Sequence, residues 1–161
     1  MSKQTVPRIR NAELQSEAEG YRKVVIRYSD GSVLRGYLAA QEVDTIQKHD
    51  AESFTVTAVS GQVERVPAAA IKAIFFVKTF EGSRHYSEFK VFTHQPNGKG
   101  VWVRVHFTDG EIMEGVAPNS LETYAQPVFH LTPPDPGSNN QAVLVSKRCL
   151  KEMQILGLAA E

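Results

Sequence analysis

With 161 residues, the chain has room for one ordinary domain or two small ones. Hydrophobic residues at 42% and charged residues at 22% exclude a disordered composition. Basic and acidic side chains balance at 18 each. They divide eight to six over residues 21–80 and four to seven over residues 101–161, so neither half carries the basic excess that phosphate neutralisation favours.

Residues 1–20 read as a polar arm. Residues 12–19 suit a short helix but have too few apolar positions to define a face, which leaves a solvated tail and a docking helix both open. The arm has no apolar segment of signal-peptide type. No run in the chain approaches the roughly 20 apolar residues of a membrane span. Cys149 is the single cysteine, so no internal disulfide forms. The expectation is a cytoplasmic protein with no membrane association.

Residues 21–78 read as a first β module. Val24, Ile26 and Tyr28 alternate with Val25, Arg27 and Ser29, the period-2 pattern of a strand with one core face. Asp30-Gly31 marks a hairpin turn, because Asp and Gly tolerate turn backbone that branched residues resist. Gly36 falls inside the next strand, where glycine marks a bulge or bend. After a variable loop come a strand at Phe54–Thr57, a turn, another strand, one helical turn at Pro67–Ala70 and an apolar strand from Ile71 to Val77. Phe75 and Phe76 are adjacent and so point to opposite faces; one belongs to the core and the other needs a cover, within the chain or from a partner.

Residues 79–100 connect to a second module over residues 101–157. Phe80, Tyr86, Phe89, Val91 and Phe92 are too apolar for a free linker, and residues 86–92 suit an extra strand. The second module repeats the first. Val103, Val105, Phe107, Asp109, Gly110 and Gly115 follow Val24, Ile26, Tyr28, Asp30, Gly31 and Gly36 at an offset of 79. Phe129–Thr132 follows Phe54–Thr57 at 75, and Val145–Met153 follows Val66–Ile74 at 79 again. Length changes therefore fall in loops and cancel, as in a duplicated unit.

The opening strand, Asp-Gly turn and bent strand with glycine five residues on, in Asp30-Gly31…Gly36 and Asp109-Gly110…Gly115, resemble the SH3-like and Sm-like small barrels. That resemblance implies an all-β fold made of a tandem pair of such barrels, each with one helical turn before its last strand. The RNA-contacting stretch of the Sm family has no match in Ile71-Lys72-Ala73-Ile74 or Leu150-Lys151-Glu152-Met153. The whole chain also resembles a bacterial family of uncharacterised duplicated domains, through Ile71–Lys78, Phe80-Glu81-Gly82 and Asp135–Asn140. That resemblance implies a bacterial origin and no mechanism.

Among candidate sites, the five histidines are scattered and form no HxH, HExxH or CxxC-type pair, so no metal is expected. No GxSxG, GxxxxGK[ST] or GxGxxG occurs, and Cys149 matches Ala70, which argues for packing. No catalytic residue and no cofactor is expected, and the protein is read as not an enzyme. The cyclic-dinucleotide pattern of the PilZ family is also unmatched: residues 30–36 place the glycine one position late, and no RxxxR precedes them.

Three surfaces remain. The proline-rich loop around Asp135, Pro136, Ser138, Asn139 and Asn140 is a rigid turn or a recognition loop. Phe75 and Phe76 form a candidate interaction face. Arg22, Lys23, Arg27 and Arg35 form a candidate basic face. The leading expectation is an interaction or scaffold module that binds a protein partner through loops and sheet edges. An Sm-like nucleic-acid binder and a small-ligand sensor are the alternatives, and homo-oligomerisation is left open.

Overall fold

The computed structural model describes residues 20–48, 51–81 and 90–160. The polar arm and most of the expected extra strand, residues 86–89, lie outside them. In chain order the elements are β1 (Tyr21–Tyr28), β2 (Val33–Ala39), α1 (Ala40–Gln47), β3 (Ser53–Ala58), β4 (Val63–Pro67), β5 (Ile71–Val77), β6 (Val101–Phe107), β7 (Ile112–Ala117), α2 (Leu121–Ala125), β8 (Val128–Leu131), β9 (Asn140–Ser146) and β10 (Leu150–Leu158). Single 3₁₀ turns, Ala68–Ala70 and Lys147–Cys149, precede β5 and β10 where one helical turn was expected. The structure is therefore mostly β, with two short helices in loops that the sequence left unassigned. Val43 and Ile46 of α1, three residues apart, turn onto the core. Its Glu42 carboxylate accepts from the Thr55 amide at 3.2 Å.

The strands form two antiparallel sheets, one ordered β4-β3-β2-β1-β5-β9-β8 and the other β10-β6-β7. Neither sheet closes into a barrel, where the sequence suggested two. The reason is the long-range join between β5 and β9, in which Phe75 pairs with Val143 and Phe76 with Ala142. It merges strands from both halves of the chain into one seven-stranded sheet. β7 meets β8 only through a bridge, with Val116 and Thr132 exchanging two 2.9 Å backbone bonds.

The core lies on both faces of that join. Ala73, Phe75, Val77, Val143 and Val145 face one cluster with Val103, Val105, Phe107 and Leu131. Ile74, Phe76, Ala142 and Leu144 face the other with Val24, Ile26, Leu38 and Val56. Every residue of β5 is buried, which explains why all but Lys72 are apolar. Fully burying side chains of this size contributes about 1.5–3 kcal/mol each.

Gly36 and Gly115 sit where the neighbouring strand comes closest. A Cβ on Gly36 would lie 2.5 Å from the Thr57 carbonyl oxygen, and one on Gly115 would lie 2.6 Å from that of Thr132. The Asp-Gly turns are alike. Gly31 and Gly110 have φ of 90° and 92°, and Asp30 and Asp109 accept from the amides of Ser32 and Glu111 at 2.8 and 3.0 Å. Three backbone bonds of the first half recur 79 residues on. Tyr28 N to Ser32 O is matched by Phe107 N to Glu111 O, Gly31 N to Tyr28 O by Gly110 N to Phe107 O, and Ser29 N to Ala70 O by Thr108 N to Cys149 O.

Candidate interaction site

The proline-rich loop is held by its own polar side chains. Asp135 and Ser138 are buried. Asp135 Oδ1 accepts from the Gly137 amide at 3.0 Å, and Ser138 Oγ accepts from the Asn140 amide at 3.0 Å. The Asn139 side chain clasps Thr79 just beyond β5: Oδ1 accepts from the Thr79 amide at 3.0 Å and Nδ2 donates to the Thr79 carbonyl at 2.8 Å. Lys78 adds two bonds, its amide to the Asn139 carbonyl at 2.9 Å and its Nζ to the Pro136 carbonyl at 3.2 Å. The Asn139 side chain thus fixes the loop to the end of β5. Pro133, Pro134 and Pro136 form one wall of a groove of about 760 Å³, with Phe92, His94 and Pro96 among its other lining residues.

Phe75 and Phe76 are both buried, 6% and 1% exposed, so neither presents a surface. Phe75 lies in the cluster with Val103, Val105 and Phe107, Phe76 lies in the cluster with Val24, Ile26 and Leu38, and each carries a cation on its ring. The Arg27 guanidinium lies 5.0 Å from the Phe75 centroid and that of Arg22 lies 4.2 Å from Phe76. The candidate basic face is accordingly split. Arg22 lies on the Val24 and Ile26 side of β1, and Lys23 and Arg27 lie on the other. Arg35 pairs with Val25 and shares the Lys23 and Arg27 side. Lys23 Nζ stands 6.0 Å from the Phe80 ring centroid.

A charged cluster that the sequence did not flag ties the two halves together. Lys72, the lone cation in the apolar run of β5, is buried and donates from Nζ to Asp109 Oδ2 at 2.6 Å and to Glu111 Oε2. Arg27 and Lys90 approach Glu111 at 3.9 and 3.8 Å. Burial pulls the Lys72 ammonium pKa down, but the two carboxylates outweigh it and leave it raised. The Lys72 hydrogen bond holds Asp109 below the ordinary carboxylate range.

A second missed group is Glu114, 1% exposed on β7. Its Oε1 accepts from Trp102 Nε1 at 2.9 Å and from the Phe92 amide at 3.1 Å. Its Oε2 accepts from Arg104 Nε at 2.9 Å. Burial pushes this carboxyl up, and the donors from Trp102, Phe92 and Arg104 overcome it to leave the pKa lowered. The Lys90 carbonyl accepts from the Glu114 amide at 3.0 Å, so the connector approaches β7 at this point.

Cys149 packs in the core as expected, 8% exposed, its Sγ 3.6 Å from the Ile71 carbonyl oxygen, with burial raising the thiol pKa. His130 is lowered by burial and by the Arg22 charge. Among the described residues no group of three or more His, Cys, Asp and Glu side chains is placed to hold a metal, and no helix is long and apolar enough to cross a membrane.

β7 and β8, each at one end of its sheet, meet at the Val116 to Thr132 bridge; among the described residues the other two sheet ends, β4 and β10, are bonded to β3 and β6 alone. They carry three exposed large apolar side chains, Val63 at 66%, Ile155 at 52% and Leu158 at 61%. The connector meets β10 near the strand's end, where Gln95 Nε2 donates to the Leu158 carbonyl at 2.7 Å.

These features define a mostly-β protein of two antiparallel sheets with open outer edges. Over residues 20–157 the chain matches the model of a family of unknown function (DUF6982), and it belongs to that family. No curated protein and no solved structure matches it.

Proposed function

We propose that this chain is a non-catalytic interaction module, a tandem pair of SH3-like or Sm-like units fused through β5 and β9, which binds polypeptide by strand addition at its outer edges. The observation that carries the reading is the exposure of Val63 and Ile155 on β4 and β10, each bonded on one side only among the described residues. An open edge offers a row of backbone donors and acceptors, and an apolar side chain in that row adds a contact specific to one register. The tandem part of the reading is supported by strand order. Reading outward from the last strand of each half, the order is β5-β1-β2-β3-β4 and β10-β6-β7-β8-β9, the latter completed by the Val116 to Thr132 bridge.

The loop of residues 133–140 acts as a brace in this reading, because Asp135, Ser138 and Asn139 spend their side chains on the loop and on Thr79. The test uses wild type, Val63→Lys and Ile155→Glu as baits in an extract of the source cell, after circular dichroism shows all three folded. The reading expects a polypeptide retained by wild type and lost with either variant. Equal retention by all three baits would overturn it.

A further inference from the structure

The two strands of the internal join, β5 and β9, have counterparts at the outer ends of the two sheets, β10 and β4. An offset of 79 carries β5 onto β10 and β9 onto β4, since Ile71, Ala73 and Phe76 fall on Leu150, Glu152 and Ile155, and Ala142 and Val145 fall on Val63 and Val66. The local geometry follows the same offset. β5 meets β1 with a bulge between Arg27 and Tyr28 where Tyr28 pairs with Ile71, and β10 meets β6 with an irregularity at the same place, where Phe107 pairs with Leu150. β5 and β9 are each bonded on both sides. Among the described residues their counterparts β10 and β4 are each bonded on one.

We infer that β10 of one copy pairs antiparallel with β4 of a second copy, repeating between chains the join that β5 and β9 make within one. This rests on the tandem reading above and names the partner of its edges. Phe76 pairs with Ala142 inside the chain. The same offset sets Ile155 of one copy against Val63 of the next, and these are two of the most exposed large apolar side chains among the described residues.

The charges agree with this register. Lys72 reaches from β5 to Asp109 in the hairpin turn beyond the join, at 2.6 Å. Its counterpart Lys151 is exposed on β10, and the counterpart of Asp109 is Asp30, also exposed, in the first hairpin turn. The same docking therefore sets Lys151 of one copy beside Asp30 of the next. Two differences set the strength. Gln154 stands where Phe75 does and Glu64 where Val143 does. The contact between chains is thus more polar than the internal one and is reversible, as charged edge strands favour. Because it joins two different edges, it is heterologous. It leaves one β4 and one β10 open on every dimer and continues until a ring closes or a filament forms.

The experiment is sedimentation velocity over a range of concentrations, with single-cysteine cross-linking of the intact chain. Wild type is expected to form species above the 17.9 kDa of one chain as concentration rises. Val63→Lys and Ile155→Glu are each expected to give monomer, and the double variant is expected to regain assembly by placing Lys opposite Glu. Mixing Val63→Cys and Ile155→Cys chains is expected to give a disulfide-linked pair of unlike chains in preference to like pairs, with buried Cys149 left unreacted. Monomer at all concentrations, assembly indifferent to both single variants, or like-with-like cross-links would each overturn the inference. If wild type stays monomeric while its edges still retain a foreign polypeptide that the single variants lose, the self-pairing falls and the edge reading stands. If the variants change neither behaviour, both fall.

Discussion

Lys72 and Asp109 lie 37 residues apart in sequence and 2.6 Å apart in space, the ammonium on the last strand of the first half and the carboxylate in the hairpin turn of the second. With Glu111, this contact ties β5 to the turn between β6 and β7. Lys72 also lies 4.5 Å from the centroid of the Phe107 ring, so its charge is balanced on two sides.

Replacing Lys72 by Met keeps the stem and removes the charge. The variant is expected to lose about 1–3 kcal/mol, the cost of leaving a partly buried partner such as Glu111 without its donor. Asp109→Asn is expected to cost less, because Asp109 is 54% exposed and its pair is screened by solvent. The pH dependence follows from the two shifts. Asp109 has a lowered pKa, so its contribution is full above the unfolded carboxylate range and lost as pH falls through its folded pKa. Lys72 has a raised pKa, so its contribution is full below the unfolded lysine value and lost as pH rises through its folded pKa. Urea titrations of wild type and Lys72→Met are therefore expected to differ most around neutrality and to converge toward either extreme. A constant difference from pH 2 to pH 7 would reject this assignment.

The extent to which such features could be read beforehand depends on range. Local signals carried well: both Asp-Gly turns, both strand glycines, the single helical turns before β5 and β10, and the bounds of β5 all follow from short stretches of sequence. The join of β5 to β9 did not, because nothing local says which buried strand neighbours which. The run Ile71–Val77, apolar but for Lys72, did hint that both faces are covered. The split of the basic face was legible and missed, since Arg22 and Lys23 are adjacent in a strand and so point apart. The Asn139 clasp on Thr79 was illegible, because it depends on where a loop lands 60 residues from its partner.

Glu114 offers a measurement through the only tryptophan in the chain, Trp102. Glu114→Ala leaves Trp102 Nε1, the Phe92 amide and Arg104 without their shared acceptor, and an expected loss of about 1–3 kcal/mol follows from leaving buried donors unsatisfied. Glu114→Gln keeps the shape and the acceptor for Trp102 but removes the negative charge opposite Arg104, and should cost about half as much. The folded carboxyl is lowered, so its contribution is present above the unfolded glutamate pKa and lost as pH falls through the folded one. Trp102 emission during acid titration is expected to shift in wild type and to lose that transition in Glu114→Gln. An unchanged acid transition in the glutamine variant would show that another group controls it.

The strand glycines separate close approach from mere flexibility. Gly115→Ala sets a methyl against the Leu131 side chain and the Thr132 carbonyl, at the one bridge that connects β7 to β8. Overpacking of this kind costs about 1–3 kcal/mol, and Gly36→Ala should behave alike against the Thr57 carbonyl. Gly157 has open space around its would-be Cβ. Gly157→Ala is expected to be neutral within about 0.5 kcal/mol, the usual size of a surface change. Thermal melts of the three variants check this, and equal losses at all three positions would show that the close approaches do not matter.

The basic residues of the first half supply the last test. An Sm-like RNA contact needs cations free to meet phosphates beside aromatic platforms. Here Arg22 stacks on the buried Phe76 ring, Arg27 lies between the Phe75 ring and Glu111, and the two sit on opposite faces of β1. A single strand of RNA following one face therefore meets Lys23, Arg27 and Arg35 without Arg22, and meets the Asp109 and Glu111 carboxylates close to Arg27. Fluorescence anisotropy of a labelled mixed-sequence single-stranded RNA, titrated at low and at physiological salt, is expected to show no saturable binding. Tight binding that falls steeply with salt would mean that phosphates are being neutralised after all. Loss of that binding in Arg35→Ala, with Arg22→Ala unaffected, would then place the RNA on the Arg35 side of the sheet and remove the polypeptide-edge reading from first place.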